Sequence, residues 1–284
     1  MPAPTDLTQR FLLENLDIRG QVVRLGPLWK SILARSGYPE AARQLLGEFA
    51  AIAVLVGAGL KHPGRAVLQV MGHGPVSLAV ADCTRELALR AMLRVDAATF
   101  PPGEIPLQAL FADGRLALTI ENASTGRQFQ SIVPLEGVTL AECFERYFDR
   151  SEQVPTHLWV HATGEGVGAL ILQKLPKADE RDAHGWARIH RRAASANPAT
   201  YLDRDARGIA AELFPEEDLR LFDAAPVADG CGRSEEKVVA MLRGLGRTEV
   251  EAALAEQGFV TVRDEICNQE YRFGSAEVAR IFRA

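Results

Sequence analysis

The sequence predicts an α+β protein, and three observations carry that reading. Helical and strand-like runs are interleaved through residue 175 without a regular βαβ repeat, which argues against a doubly wound sheet. Residues 49–60 are apolar all round, as in a helix buried inside a large domain. After Pro176 the large apolar residues thin out and Arg, Asp and Ala dominate as far as Arg207, the composition of a boundary segment with short helices and no packed core. Residues 1–176 are therefore expected to form a mixed sheet-and-helix domain, 177–224 a helical linker and 225–284 a small C-terminal module.

The elements follow in order. Residues 11–24 read as one strand continuing past Gly20, with β-branched Val22 and Val23. Helices are expected over 28–36 and 40–60, with Pro39 just inside the second start. Strands 66–71 and 76–81 flank the turn Gly72-His73-Gly74-Pro75. Residues 107–112 and 115–120 read as a hairpin closed by Asp113-Gly114, a pair suited to a tight primed turn. A strand over 128–135 precedes an amphipathic helix over 139–150, with Leu140, Cys143, Phe144, Tyr147 and Phe148 on one side. Strands 156–162 and 167–175 close around Gly164-Glu165-Gly166, and residues 209–222 read as helical on both sides of Pro215.

Bulk properties exclude several classes. The 284 residues can bury a sizeable core, and 47% hydrophobic with 24% charged content is that of a soluble globular protein. A net charge of -5 lacks the basic excess of a phosphate-binding surface, so no nucleic-acid partner is expected. Met1-Pro2-Ala3-Pro4-Thr5-Asp6 does not open a signal peptide, and the run 49–60 is too short for a bilayer core of about 30 Å. Four scattered cysteines do not make a secreted disulfide framework. The expectation is a cytoplasmic protein without membrane partners.

The chemistry concentrates between Asp229 and Phe273, which resembles a small metal-binding hairpin module with half its ligands missing. Cys231 follows Gly230, and Cys267 is expected to end a short strand. Structural zinc takes four Cys or His ligands; here Cys231, Cys267 and, as an oxygen donor, Asp264 are at hand, with no His after His190. A Cys231–Cys267 disulfide is the second reading, and two half-buried thiols with neither bond nor metal the third. Arg233 and Lys237 would favour the Cys231 thiolate. Elsewhere, Gly72-His73-Gly74-Pro75 and the glycines at 164–168 lack phosphate-loop spacing and read as turns. His184, Arg188, His190, Arg191 and Arg192 read as a solvated helix face, and no hydrolase motif is present.

Several segments, in this order, resemble the redox-regulated chaperones of the thirty-three-kilodalton heat-shock protein family. They are Arg19-Gly20-Gln21-Val22-Val23-Arg24, Leu68-Gln69-Val70-Met71-Gly72-His73-Gly74-Pro75, Gly114-Arg115-Leu116-Ala117-Leu118-Thr119-Ile120 and Ser131-Ile132-Val133-Pro134-Leu135. Tyr147-Phe148-Asp149-Arg150-Ser151-Glu152-Gln153-Val154-Pro155-Thr156, the most specific, follows. Leu213-Phe214-Pro215-Glu216-Glu217-Asp218 and Cys267-Asn268-Gln269-Glu270-Tyr271-Arg272-Phe273 complete the series. The resemblance implies a non-enzymatic, ATP-independent holdase that binds unfolded client proteins, forms a homodimer on activation, and carries a metastable linker and an ααββ-like thiol module. Members typically hold zinc through a Cys-X-Cys and a Cys-X-X-Cys pair; oxidation closes each pair, expels zinc and unfolds the module.

The chain departs from that pattern where it matters most. Arg233 stands for the second cysteine of the first pair and Asp264 for the first cysteine of the second, so neither local disulfide can form. A Cys231–Cys267 bond would close the module instead of melting it, and an Arg233–Asp264 ion pair would replace part of the metal's cross-link. The expected function is a holdase active under heat or oxidative stress with a degenerate two-cysteine switch. The alternatives are the standard zinc mechanism, with Cys231, Cys267 and Asp264 as ligands, and, from another class, a thiol oxidoreductase, which lacks a vicinal pair to cycle through.

Overall fold

The computed structural model describes residues 6–96, 100, 103, 105–232 and 234–283. The start of the chain on which the signal-peptide reading rests, and Arg233, lie outside the described residues. The chain divides into two compact units, Met1–Gly230 and Cys231–Ala284.

The first unit opens with a hairpin, β1 (Leu7–Leu13) and β2 (Ile18–Leu25), where one continuous strand was expected. The turn residues Glu14-Asn15-Leu16-Asp17 explain the break: Asp17 takes a left-handed backbone, φ 49°, a conformation Asp and Asn tolerate. Helix α1 (Pro27–Ala34) leads to α2 (Glu40–Ala58), with Pro39 at the N-cap. By length the 19 residues of α2 would reach across a bilayer, but every residue from Phe49 to Leu55 is buried. Strands β3 (Gly64–Met71) and β4 (Val76–Thr84) form the expected hairpin, and β5 (Ala88–Val95) continues it. Sequence alone missed β5 because Ala, Leu, Arg and Met favour helices; its place beside β4 overrides that preference.

The expected 107–120 hairpin is not formed. Leu107–Phe111 is a short helix, α3, and Arg115–Asn122 is a strand, β6, paired with β3 and with β7 (Gln128–Val133). The reason is spacing: Leu107, Leu110 and Phe111 stand at i, i+3 and i+4, and all three are buried, which a helix achieves and an alternating strand does not. Helix α4 (Leu140–Ser151) is capped by Thr139, whose side chain accepts the Glu142 N–H at 3.2 Å. Its first N–H, on Leu140, donates to the buried Glu48 carboxylate of α2 at 2.7 Å. Burial raises the Glu48 pKa, opposed by hydrogen bonds from Gln44 and from the backbone of Leu140 and Ala141. Strands β8 (Thr156–Ala162) and β9 (Val167–Lys174) pair as expected.

Short helices then follow: α5 (Ala178–Arg181), α6 (Gly185–Ala194), α7 (Pro198–Asp203) and α8 (Ala206–Leu213). No helix follows Pro215; the chain turns and forms β10 (Leu219–Leu221), then β11 (Ala225–Pro226), both paired with β1, and β12 (Ala228–Asp229), paired with β5. The strands make two sheets, in the orders β10-β1-β2-β9-β8 and β12-β5-β4-β3-β6-β7. Helix α2 packs on strands of both, and its apolar residues join one core with Leu68, Val70, Ala169 and Ile171.

Alternate residues of β9 point the other way. Leu170 and Leu172 join Phe11, Leu13, Ile18 and Val22 in a second core against Ile189 and Ala193 of α6, Tyr201 of α7 and Ile209 of α8. A strand buried on both faces reads as a continuous apolar run, as β9 does. The helices after Pro176 therefore do pack, contrary to the loose segment their composition suggests. In this core the Phe11 ring lies across Gly20, its partner on β2, where any Cβ would strike it. Gly20→Ala is expected to cost about 1–3 kcal/mol by overpacking, read as a lower urea midpoint at unchanged slope.

Candidate functional site

The second unit is a small ααββα module: α9 (Glu235–Leu245), α10 (Arg247–Gln257), β13 (Val260–Asp264), β14 (Gln269–Phe273) and α11 (Ser275–Ile281). Val238, Leu242, Val250, Val260, Tyr271, Phe273, Val278 and Ile281 form its core. Cys267 does not end a strand. It lies in the turn from β13 to β14, where Asn268 takes φ 48°. Its N–H donates to Asp264 Oδ1 at 3.1 Å, an Asx-type closure of that turn.

Cys231, at the start of the unit, reaches this turn. Its Cα stands 5.3 Å from that of Cys267, and the two sulfurs are joined in a disulfide. Side chains fix the approach. Gln269 Nε2 donates to the Cys231 carbonyl at 2.8 Å, the Tyr271 hydroxyl donates to Gln269 Oε1 at 2.8 Å, and the Ser234 N–H donates to the Tyr271 hydroxyl at 3.1 Å. Both cysteines are buried. The bond closes a loop with a sequence separation of 36, which by chain entropy stabilises the unit by about 4 kcal/mol.

The same residues supply a poor zinc donor set. Both sulfurs are engaged in one bond, and Asp264 Oδ1 already accepts the Cys267 amide. Among the described residues no group of three or more His, Cys, Asp or Glu is arranged to hold a metal. Four ligands are what tight structural zinc requires, and these residues do not fit it. The proposed Arg233–Asp264 ion pair falls on a residue outside the described ones. Cys83 and Cys143 are buried and inert as thiols: burial pushes Cys83 up to about 12 and also raises Cys143.

The basic cluster of α6 is not a solvated face. Arg188 bridges Asp182 at 2.8 Å and Glu217 at 3.1 Å, and Arg192 bridges Glu216 at 2.8 Å, tying α6 to the segment after α8. His184 is exposed, but His190 stacks on His157 of β8 with ring centroids 3.9 Å apart. Trp186 stacks on His157 at 4.9 Å, and Trp159 lies 5.8 Å from His190. Sequence reasoning passed over this cluster. The signal was there: 157 and 159 share a strand face, and 186 and 190 share a helix face.

The sequence model of the Hsp33 protein family matches residues 6–274. The chain belongs to the Hsp33 family. The 33 kDa chaperonin of Ectopseudomonas mendocina is 37% identical over 282 residues, covering 98% of this chain and 95% of that one. That of Methylobacillus flagellatus is 36% identical over 284 residues, covering 98% and 94%. The crystal structure of the Thermotoga maritima 33 kDa chaperonin, HSP33, superposes with a TM-score of 0.78 at 22% identity, over 98% of this chain and 97% of that one. That likeness supports the α+β fold. Hsp33 proteins are chaperones and not enzymes, which removes the oxidoreductase reading.

Proposed function

We propose that this Hsp33 chain is an ATP-independent holdase that binds unfolding client proteins through apolar surface of residues 1–176 and of the linker 177–224. Residues 225–284 act in this reading as a thiol module whose two cysteines, Cys231 and Cys267, close it. The protein works in the cytoplasm and dimerises when active. The observation that carries the reading is the cross-module bond between Cys231 and Cys267 in place of two local pairs. In the family pattern, oxidation forms bonds inside each pair and melts the module. Here oxidation forms one bond that holds the start of the module to its β13–β14 turn, so the sign of the thiol switch is reversed. Activation then comes from heat or from standing exposure of apolar surface, and among the described residues zinc finds no four-ligand site.

The linker helices support this reading. They cover Phe11, Leu13, Ile18, Leu170 and Leu172 with Ile189, Tyr201, Ile209 and Leu213, so their release would uncover a continuous apolar face. Purified protein is expected to suppress aggregation of a heated client such as citrate synthase with no oxidant present. It is expected to hold well below about one zinc per chain, the content of a filled structural site. Suppression that appears only after peroxide, together with zinc release, would overturn the proposal in favour of the standard mechanism.

A further inference from the structure

Helix α6 is held on β8 by four ring side chains, His157 and Trp159 of β8 and Trp186 and His190 of α6. Alongside them Ile189 and Ala193 of α6 are buried against the outer face of the β1-β2-β9 strands. We infer that the His157–His190 stack is an acid-sensitive latch, and that protonation of both imidazoles drives α6 off β8 and uncovers the apolar face beneath it.

The charged surroundings decide which proton matters. From α4, Glu145 Oε1 lies 3.7 Å from His157 Nδ1 and also accepts the Leu158 N–H at 2.6 Å. A first proton on His157 therefore faces a carboxylate, and an imidazolium against the Trp186 ring is itself favourable. The same Glu145 is the carboxylate that favours a charge on His190, so among the described residues the two rings share one acid. On α6 the cations Arg188 and Arg192 are turned to Asp182, Glu217 and Glu216, and Arg191 is exposed. On α5, Asp179 pairs with Lys174 and Arg181 with Asp17. On α7 and α8, Asp203, Arg204 and Glu212 line a separate hollow. His161 shares the face of His157 farther along β8, and α2 packs on β8 with its buried Glu48 committed to the Leu140 N–H. A second positive charge at a ring separation of 3.9 Å thus meets repulsion, and the Glu145 carboxylate, already facing His157, opposes it less than burial and the His157 charge disfavour it.

The sign follows from linkage. Burial first, then the His157 charge, hold His190 below its ordinary 6.5 while α6 is docked. Once released, His190 recovers the ordinary value and takes up a proton more readily. Docking is therefore complete above pH 6.5, is lost as pH falls below it, and the loss saturates below the lowered docked value.

The test is hydrogen exchange of the α6 amides in the full-length chain, corrected for intrinsic pH dependence, from about pH 7.5 to about pH 5.5, either side of the imidazole range. Protection of residues 185–194 is expected to fall on the order of tenfold over that range, because release of α6 takes up protons. His190→Phe keeps a ring in the stack and removes the charge, and its protection should stay flat over the same range. Should His190→Phe fold poorly, His157→Phe is expected to shrink the drop without abolishing it, because burial still acts on His190. A wild-type profile without the drop overturns the latch, as does a full drop retained in a folded phenylalanine variant. The link to client capture rests on the holdase reading and is measured separately. Opening of α6 in acid without added capture supports the latch while counting against that reading.

Discussion

Reduction of the Cys231–Cys267 disulfide is expected to destabilise the C-terminal unit by about 4 kcal/mol, the loop-closure entropy of a bond spanning 36 residues. The unit is small, and a core of eight buried side chains cannot hold much stability in reserve. Such a loss therefore brings it close to unfolding at physiological temperature. The measurement is amide exchange of α9, α10 and α11 in the full-length protein, with and without a reductant, beside Cys267→Ser without reductant. Protection should collapse in both reduced and substituted protein, while that of the β1–β2 hairpin stays as it was. Protection that rises on reduction would mean the bond strains the module, and the reversed switch would have to be abandoned. This direction is opposite to the family pattern, in which the oxidised module is the unfolded one.

Gly168→Ala is expected to free the linker without any change in redox state. Gly168 lies in β9 where α7 crosses it, and a Cβ there would collide with the Tyr201 carbonyl, a backbone atom that cannot swing aside. Tyr201 anchors this crossing. It is buried, and its hydroxyl donates to the Ala193 carbonyl at 2.7 Å, so α7 and the end of α6 move together. The clash should cost about 1–3 kcal/mol, enough to raise the population of the open linker roughly five- to a hundred-fold. The readouts are binding of a hydrophobic dye and suppression of client aggregation below the heat-shock range, both of which should increase. Gly72→Ala serves as the control, since its Cβ would strike the Phe111 carbonyl, far from the linker in sequence and packing. Equal gains in both variants would point to general destabilisation and sink the role given to α7.

Much of this chain was legible from local pattern. The apolar run in α2, the staple of apolar residues along α4 and the β8–β9 hairpin around its glycines all appear where periodicity and turn chemistry put them. Each is a matter of residues within a turn or two of one another. The errors share the opposite property. Leu107–Phe111 reads as a strand from the turn pair that follows it, although its apolar spacing is helical. Strand β5 hid behind helix-forming residues, and β10 could not be foreseen because its partner, Phe11 against Leu221, lies at the other end of the unit.

The candidate site divides the same way. The order of the sequence motifs pointed to the family, and that resemblance implies that Arg233 and Asp264 stand where its members carry cysteines. No amount of sequence could choose among metal, disulfide and unbonded thiols. That choice depends on whether the start of the unit folds back onto the β13–β14 turn, and it does so through Gln269 and Tyr271. The linker shows the point most plainly. Its composition determined that it would be short helices of low apolar content. Only the tertiary structure decided that they cover the second face of the β1-β2-β9 strands and that His190 stacks on His157, because burial and charge repulsion are properties of neighbours in space.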